Sequence, residues 1–266
     1  MRILNIIVCI KQVPDPKEFS KIAIDPVRKT IVREGIPSII NPLDKNALEE
    51  ALRIREKYGG KVIVLSMGPP QALEACKEAL AFGADEAILL CDRLLAGSDT
   101  LATAYALSKA IRKLEPYSLI LCGNETVDGS TGQVPPQLAE FLGIPHVTRV
   151  RGIKIIDDEA IVESMMEYGY RIVKVKLPAV LAVVKEINTP RILSVFGIIS
   201  ASSKKLIQWC VSDIEADIDM IGLEGSPTRV TDVFTPEVKR RCEVFRGPVE
   251  ETVRKAVRRL HEIGVF

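Results

Sequence analysis

Between Cys122 and Gln133 the chain reads CGNETVDGSTGQ, and a helical pattern beginning at Val134 follows directly. Gly129 and Gly132 permit close approach of the backbone to a ligand. The hydroxyls of Ser130 and Thr131, with the free amides at the helix start, can all donate to an anion. No lysine follows these glycines, so the segment is not a P-loop, and G-x-G-x-x-G is absent, so it is not the usual dinucleotide fingerprint. The chemistry it suggests is holding a phosphate, not transferring one. A plain strand-to-helix connection accounts for the same residues and stays open as an alternative.

No other constellation carries chemistry. Two histidines, His146 and His261, cannot furnish a His-rich metal site and offer little to a Ser-His-Asp triad. The six cysteines, at 9, 76, 91, 122, 210 and 242, lack metal-knuckle spacing, and Cys9, Cys91 and Cys122 close apolar runs as small core residues do. Asp157-Asp158 falls in a turn and Glu49-Glu50 on a helix flank, poor settings for a general acid. Asp15 lies between two prolines as a turn residue. The expected catalytic set is therefore none, and no metal is expected.

Lys plus Arg total 36 against 35 Asp plus Glu, so no broad field of either sign is available for a nucleic-acid backbone or an anionic membrane. The apolar opening, MRILNIIVCI, reads as a buried first strand. No stretch reaches the roughly 18 uninterrupted apolar residues of a membrane span. A soluble chain in a reducing cytoplasm is expected, with any membrane association made through a partner.

The elements that must position the loop follow from periodicity. Four short aliphatic runs, 3–10, 62–66, 87–91 and 117–122, alternate with segments of helical period, the pattern of a parallel sheet covered on both faces. Helices are punctuated by Asn41-Pro42 and Gly59-Gly60, by Pro70 and Gly83, and by Ser98 or Asp99 and Pro116. On this reading Asn41 and Asp44 need be no more than helix-start residues. A hairpin is expected around Pro26 and Arg28. After Gly143 four strand-like runs joined at Asp157-Asp158 and Tyr168-Gly169 suggest an antiparallel add-on. The tail, with one final helix from near Pro248, reads as an arm. The expected fold is α/β, a mostly parallel sheet with helices on both faces, with antiparallel additional strands. Its expected division is an α/β domain over residues 1–200 and a C-terminal arm over 201–266.

In such a sheet ligands bind outside the carboxyl ends of the strands. Four turn-rich segments fall there: KQVPDP, SMGPP, CDRLLAGSDT and GNETVDGSTGQ.

Together with NPLDKNALEEALRI, SDTLATAYALSKAI and LPAVLAVVKEINTPRILS, these blocks resemble the β subunits of electron-transfer flavoproteins over nearly the whole chain. The resemblance implies that residues 1–200 are a nucleotide-binding domain of adenine-nucleotide-binding type, with an adenine nucleotide held by the four loops, and that the arm over 201–266 contacts a larger α subunit as heterodimer partner. It places Cys9, Ile10 and Lys11 along the base and ribose, Asn41 and Asp44 beside the ligand, and Ser66, Met67 and Gly68 on the adenine side. Around the phosphates it places Gly123, Asn124, Thr126, Val127, Asp128, Gly129, Thr131, Gly132, Gln133 and Val134. The compact VDGSTGQV loop looks like the electron-bifurcating and nitrogen-fixation-associated branch, which implies FAD at this site with NADH as electron donor. Structural AMP is the alternative, and a stand-alone ATP-binding regulator or ATP-cleaving enzyme is a further one.

The segment EINTPRILSVFGIISASSKKL resembles the loop by which family members recognise acyl-CoA dehydrogenases, through Asn188, Pro190 and Arg191. The family's exposed leucine is Val195 here, and its lysines are Ser200 and Ser203. That departure points to a quinone-linked oxidoreductase or a ferredoxin-like protein as electron acceptor.

Overall fold

The computed structural model describes residues 3–21, 23–25, 30–32, 37–232 and 242–265. Two compact units emerge, Met1–Thr231 and Asp232–Phe266. In the first, β1 (Leu4–Ile10) leads into short strands β2 (Gln12–Pro14), β3 (Ala23–Asp25), β4 (Thr30–Val32) and β5 (Ser38–Ile40). There follow α1 (Pro42–Tyr58), β6 (Gly60–Met67), α2 (Leu73–Phe82), β7 (Glu86–Leu90), α3 (Thr100–Arg112), β8 (Leu119–Gly123) and α4 (Val134–Leu142). The chain continues through β9 (His146–Ile156), β10 (Glu159–Met166), β11 (Gly169–Lys176), β12 (Ala179–Val183), α5 (Val195–Ala201) and β13 (Lys205–Trp209).

Nine strands form one sheet in the order β11-β10-β9-β12-β8-β1-β6-β7-β13. All neighbouring pairs from β9 to β13 are parallel, and only β9-β10-β11 is antiparallel. The central strands are buried on both faces, which is why they read as unbroken apolar runs. Leu48, Ala51 and Leu52 of α1 and Ala75, Ala79 and Leu80 of α2 close one face. Leu107, Ala110 and Ile111 of α3 and Leu138 and Ala139 of α4 close the other. From β1 the chain steps outward through β6 and β7, then returns across β1 to β8. Strand order reverses between β1 and β8, opening a crevice at their carboxyl ends.

The expected mostly parallel α/β architecture is present, with two differences. The run AVLAV, expected among the antiparallel additions, is β12 and slots in parallel between β8 and β9. All five of its residues are buried, so it needs a covered interior position and not a half-exposed hairpin. KLIQW, expected within the arm, is β13 and pairs in parallel with β7 at the sheet edge. The expected hairpin is seen as the antiparallel pairing of Ala23–Asp25 with Thr30–Val32; its turn, around Pro26 and Arg28, lies outside the described residues. In the second unit, α6 (Val249–Glu262) lines up Val249, Val253 and Val257 as exposed residues, and Arg259 pairs with Glu243 at 2.7 Å.

Candidate functional site

At the reversal point a cavity of about 850 Å³ is walled by the loops that follow β1, β6, β7 and β8. It falls near the top of the range of about 300–1,000 Å³ typical of small-molecule clefts. Fourteen of the residues expected to bind the ligand line it: Cys9, Ile10, Lys11, Asp44, Met67, Gly68, Gly123, Asn124, Thr126, Gly129, Thr131, Gly132, Gln133 and Val134. Four, Asn41, Ser66, Val127 and Asp128, are not among its lining residues.

Despite the position of Asn41 before α1, its side chain makes no cap hydrogen bond. Its Oδ1 instead accepts from Val127 N–H at 3.1 Å, and its Nδ2 donates to the Glu125 carbonyl at 3.0 Å. The carboxamide is wholly buried, so these bonds pin the loop after β8 onto the start of α1. Helix capping therefore does not account for Asn41. Asp44, three residues on, accepts from Lys11 N–H through Oδ2 at 2.8 Å and from Gly123 N–H through Oδ1 at 3.0 Å. One carboxylate ties the ends of β1 and β8 together. Asp128 pairs with Nζ of the lining residue Lys11 at 2.8 Å. Ser66 is wholly buried in β6, and its hydroxyl finds no partner among the described residues.

The loop itself is shaped for an anion. Gly129 and Ser130 both donate to the Thr126 carbonyl, at 3.2 and 2.7 Å, and Ser130 (φ 49°) and Gly132 (φ 62°) are left-handed. A side chain at Gly129 would project past Thr126 Oγ1, the one atom within 4 Å of its added Cβ, and into the space beside the cavity wall. Helix donors are fewer than the sequence suggests. Pro135 and Pro136 bring no N–H to the first turn of α4, and the first helical bond is Gln137 N–H to Gln133 O at 3.1 Å. Donation to a ligand thus falls to the loop amides around Thr131, Gly132 and Val134 and to the threonine hydroxyls. Such a cradle fits a nucleotide phosphate.

The opposite wall was legible only as a segment. Asp92 accepts from Leu94 N–H at 3.0 Å and Val211 N–H at 3.1 Å, while Asp99 caps α3 through Leu101 and Ala102 N–H and accepts from Thr228 N–H and Oγ1. These acids are committed to the backbone, which leaves Arg93 as the cation of that wall. Thr100 Oγ1 donates to Gln133 Oε1 at 3.0 Å and joins the two walls. Pro69, Pro70 and Cys91, which fall in the rim segments SMGPP and CDRLLAGSDT, also line the cavity.

Burial dominates the electrostatics. It pushes the Asp44 carboxyl up to about 7, against the pull of hydrogen bonds from Asn41, Lys11 and Gly123. Burial, then the nearby Asp44, pushes the Cys9 thiol up to about 12, and burial raises Cys122 as well. Both thiols stay protonated and act as apolar wall. Among the described residues no group of three or more His, Cys, Asp or Glu is placed to hold a metal ion, and no helix is long and apolar enough to cross a membrane.

The residues expected to meet a partner lie apart from the cavity. Asn188 exchanges hydrogen bonds with Asn46 and donates to Glu50 Oε2 at 3.0 Å. Arg191 donates from Nε to Glu49 at 2.8 Å and from Nη1 to Glu56 at 2.7 Å. Burial pushes Glu49 up, but bonds from Arg191 and Arg53 outweigh it and hold the carboxyl below its ordinary value. Pro190 is half-buried between these anchors, and beyond them Ile192, Val195 and Phe196 are 93%, 71% and 85% exposed. A rigid base thus carries an apolar tip.

Comparison with known proteins places these features in company. The family model described as electron transfer flavoprotein domain matches residues 29–214. The electron transfer flavoprotein subunit beta of Thermoanaerobacterium thermosaccharolyticum is 54% identical over 99% of this chain and 100% of its own length. Subunit CarD of the caffeyl-CoA reductase-Etf complex of Acetobacterium woodii is 46% identical over 97% and 98%. Protein FixA of Bradyrhizobium diazoefficiens is 43% identical over 88% and 83%.

Proposed function

The chain belongs to the electron transfer flavoprotein family, on the beta-subunit side, and we propose that it holds FAD in the cavity between β1 and β8 as half of an electron-bifurcating heterodimer with an alpha subunit. In this reading NADH is the electron donor, and the electrons part toward a ferredoxin-like protein and a quinone-linked oxidoreductase. The observation that carries it is the cavity at the strand reversal, large enough to favour a dinucleotide, with the Gly129-Ser130-Thr131-Gly132 cradle at one wall. The likeness to subunit CarD and to FixA supports the bifurcating branch.

When bound, the flavin supplies the redox chemistry; the chain supplies position, field and dryness. The 129–134 loop and the hydroxyls of Thr126 and Thr131 would hold the diphosphate. Lys11, near the mouth of the cavity and half-exposed at 44%, adds positive charge, with Asp128 fixing its direction. Cys9, Met67, Leu107 and Cys122 form the apolar floor, where neutral thiols exclude water without adding charge. Asn41 and Asp44 touch the backbone of two ligand loops, those after β1 and β8, and keep their spacing, so that little ordering of these two remains to be done on binding. The loop at Asn188–Val195, braced by Arg191, presents the surface for an acceptor protein.

The test is reduction of the purified heterodimer by NADH in the presence of ferredoxin and a quinone analogue together. Coupled reduction of both acceptors is expected. NADH oxidation that proceeds equally well with either acceptor alone would reject bifurcation.

A further inference from the structure

One ionisable group of the cavity has so far only a structural part. Asp44 is 4% exposed, yet it lines the cavity, and its hydrogen bonds come from neutral groups, the backbone amides of Lys11 and Gly123 and the carboxamide of Asn41. Among the described residues no ammonium or guanidinium touches it. From β1 the Cys9 thiol and Lys11 face it, and the Lys11 ammonium is drawn off to Asp128; from β8 the Cys122 thiol faces it; from its own helix Asn41 does. Both thiols are held neutral by burial, so they neither compete for the proton nor stabilise the anion. With burial holding it up to about 7, the free protein keeps this carboxyl near the balance point at neutral pH.

We propose that nucleotide binding in this cavity is coupled to uptake of one proton by Asp44, which is thus a positioning residue that also sets the pH dependence of occupancy. The inference rests on the nucleotide reading above and specifies its regulation. The carboxyl is already almost dry in the ligand-free chain, so a ligand acts on it through the negative charge that its phosphates bring into the same cavity. That charge favours the neutral acid. The proton comes from solvent and resides on a carboxyl oxygen, giving an O–H that can donate to a ligand acceptor. Because the bound state carries the extra proton, affinity falls as pH rises from about 7 until the bound-state value is passed. Each unit by which the ligand raises Asp44 costs about tenfold in affinity across that window.

The test is calorimetric titration of the full-length chain, stripped of nucleotide, with FAD in two buffers of different ionisation enthalpy at about pH 7.5. FAD is the cleaner probe because its diphosphate has no proton titrating near neutrality, unlike a phosphate monoester with a second pKa of about 6; AMP is run beside it. The expected result is uptake of a large fraction of a proton per site, and loss of that uptake in Asp44→Asn together with a flat pH profile. Asparagine cannot accept both amides, so this variant weakens the loops. Should it fail to fold, infrared difference spectra of the wild type report the same event as a carboxylic-acid band that grows on ligand addition. FAD binding without proton exchange, or without that band, overturns the inference and leaves the nucleotide reading intact. Failure of both FAD and AMP to bind overturns both.

Discussion

Gly123→Ala and Gly129→Val together separate the framework of the site from its ligand space. An added Cβ at Gly123 would lie 2.4 Å from Asp44 Oδ1, 2.8 Å from Leu43 Cβ and 3.0 Å from Asp44 N. None of these atoms is the free end of a flexible chain. Asp44 must withdraw, forfeiting a hydrogen bond between its carboxylate and Gly123 N–H that contributes about 1.5–3 kcal/mol. The crowding of β8 against α1 adds about 1–3 kcal/mol. The combined loss is about 2.5–6 kcal/mol, and at about 2–4 °C per kcal/mol for a unit of this size the melting temperature falls by about 5–24 °C. At Gly129 the added atom meets only Thr126 Oγ1, at 3.2 Å, and φ is not left-handed, so the ligand-free chain tolerates valine within about 1 kcal/mol. Nucleotide occupancy should nevertheless collapse, because the branched side chain takes phosphate space. The assay is thermal unfolding of nucleotide-free chains together with nucleotide retained per chain after gel filtration. A Gly123→Ala protein that melts within 2 °C of wild type would refute the clasp geometry. A Gly129→Val protein with full nucleotide occupancy would refute the cradle.

Asn41→Ala should loosen the loop after β8, costing about 1–3 kcal/mol in stability and weakening nucleotide binding several-fold; unchanged affinity by titration would remove Asn41 from the site. Arg191→Met should lower the melting temperature by a few degrees, since Glu49 is 4% exposed and keeps only Arg53 as its pair, and should weaken binding of the acceptor protein; an unaltered acceptor affinity would detach this loop from recognition. Two carboxyls of opposite sign contribute to the pH dependence of ligand-free stability. Asp44 is raised in the folded state, so its contribution is full below 3.8 and is lost as pH rises toward about 7. Glu49 is lowered, so its contribution is full above 4.5 and is lost as pH falls through its folded value. Their combined contribution should therefore peak in the mildly acid range, and Asp44→Asn should flatten the limb between about 4 and 7 in denaturant titrations; a limb that persists in the variant would assign it to other groups.

Local signals in the sequence were translated faithfully. Asp99 caps α3 because a carboxylate there can only accept, and the nearest free donors are the amides of Leu101 and Ala102. Gly83 and Gly143 end their helices with positive φ. Long-range partnerships were not legible. The carboxamide of Asn41 serves equally as a cap or as a tie, and its partners lie 84 and 86 positions away. The Arg191 and Glu49 side chains meet across 142 positions. An all-apolar run such as β12 carries no mark of direction, since both faces are covered whichever way it runs. β13 hides in a tail of turns because an edge strand half-open to solvent lacks the continuous apolar signal of the interior. The glycine loop was visible as a cradle, but the two prolines that strip α4 of donors shift the burden to the loop amides, which only the backbone geometry reveals.

The claim that the cavity between β1 and β8 holds FAD is tested most directly by releasing the nucleotides of the purified heterodimer with acid and separating them by chromatography. Two FAD per heterodimer and no AMP is the predicted result. One FAD with one AMP, or a single FAD alone, would contradict it.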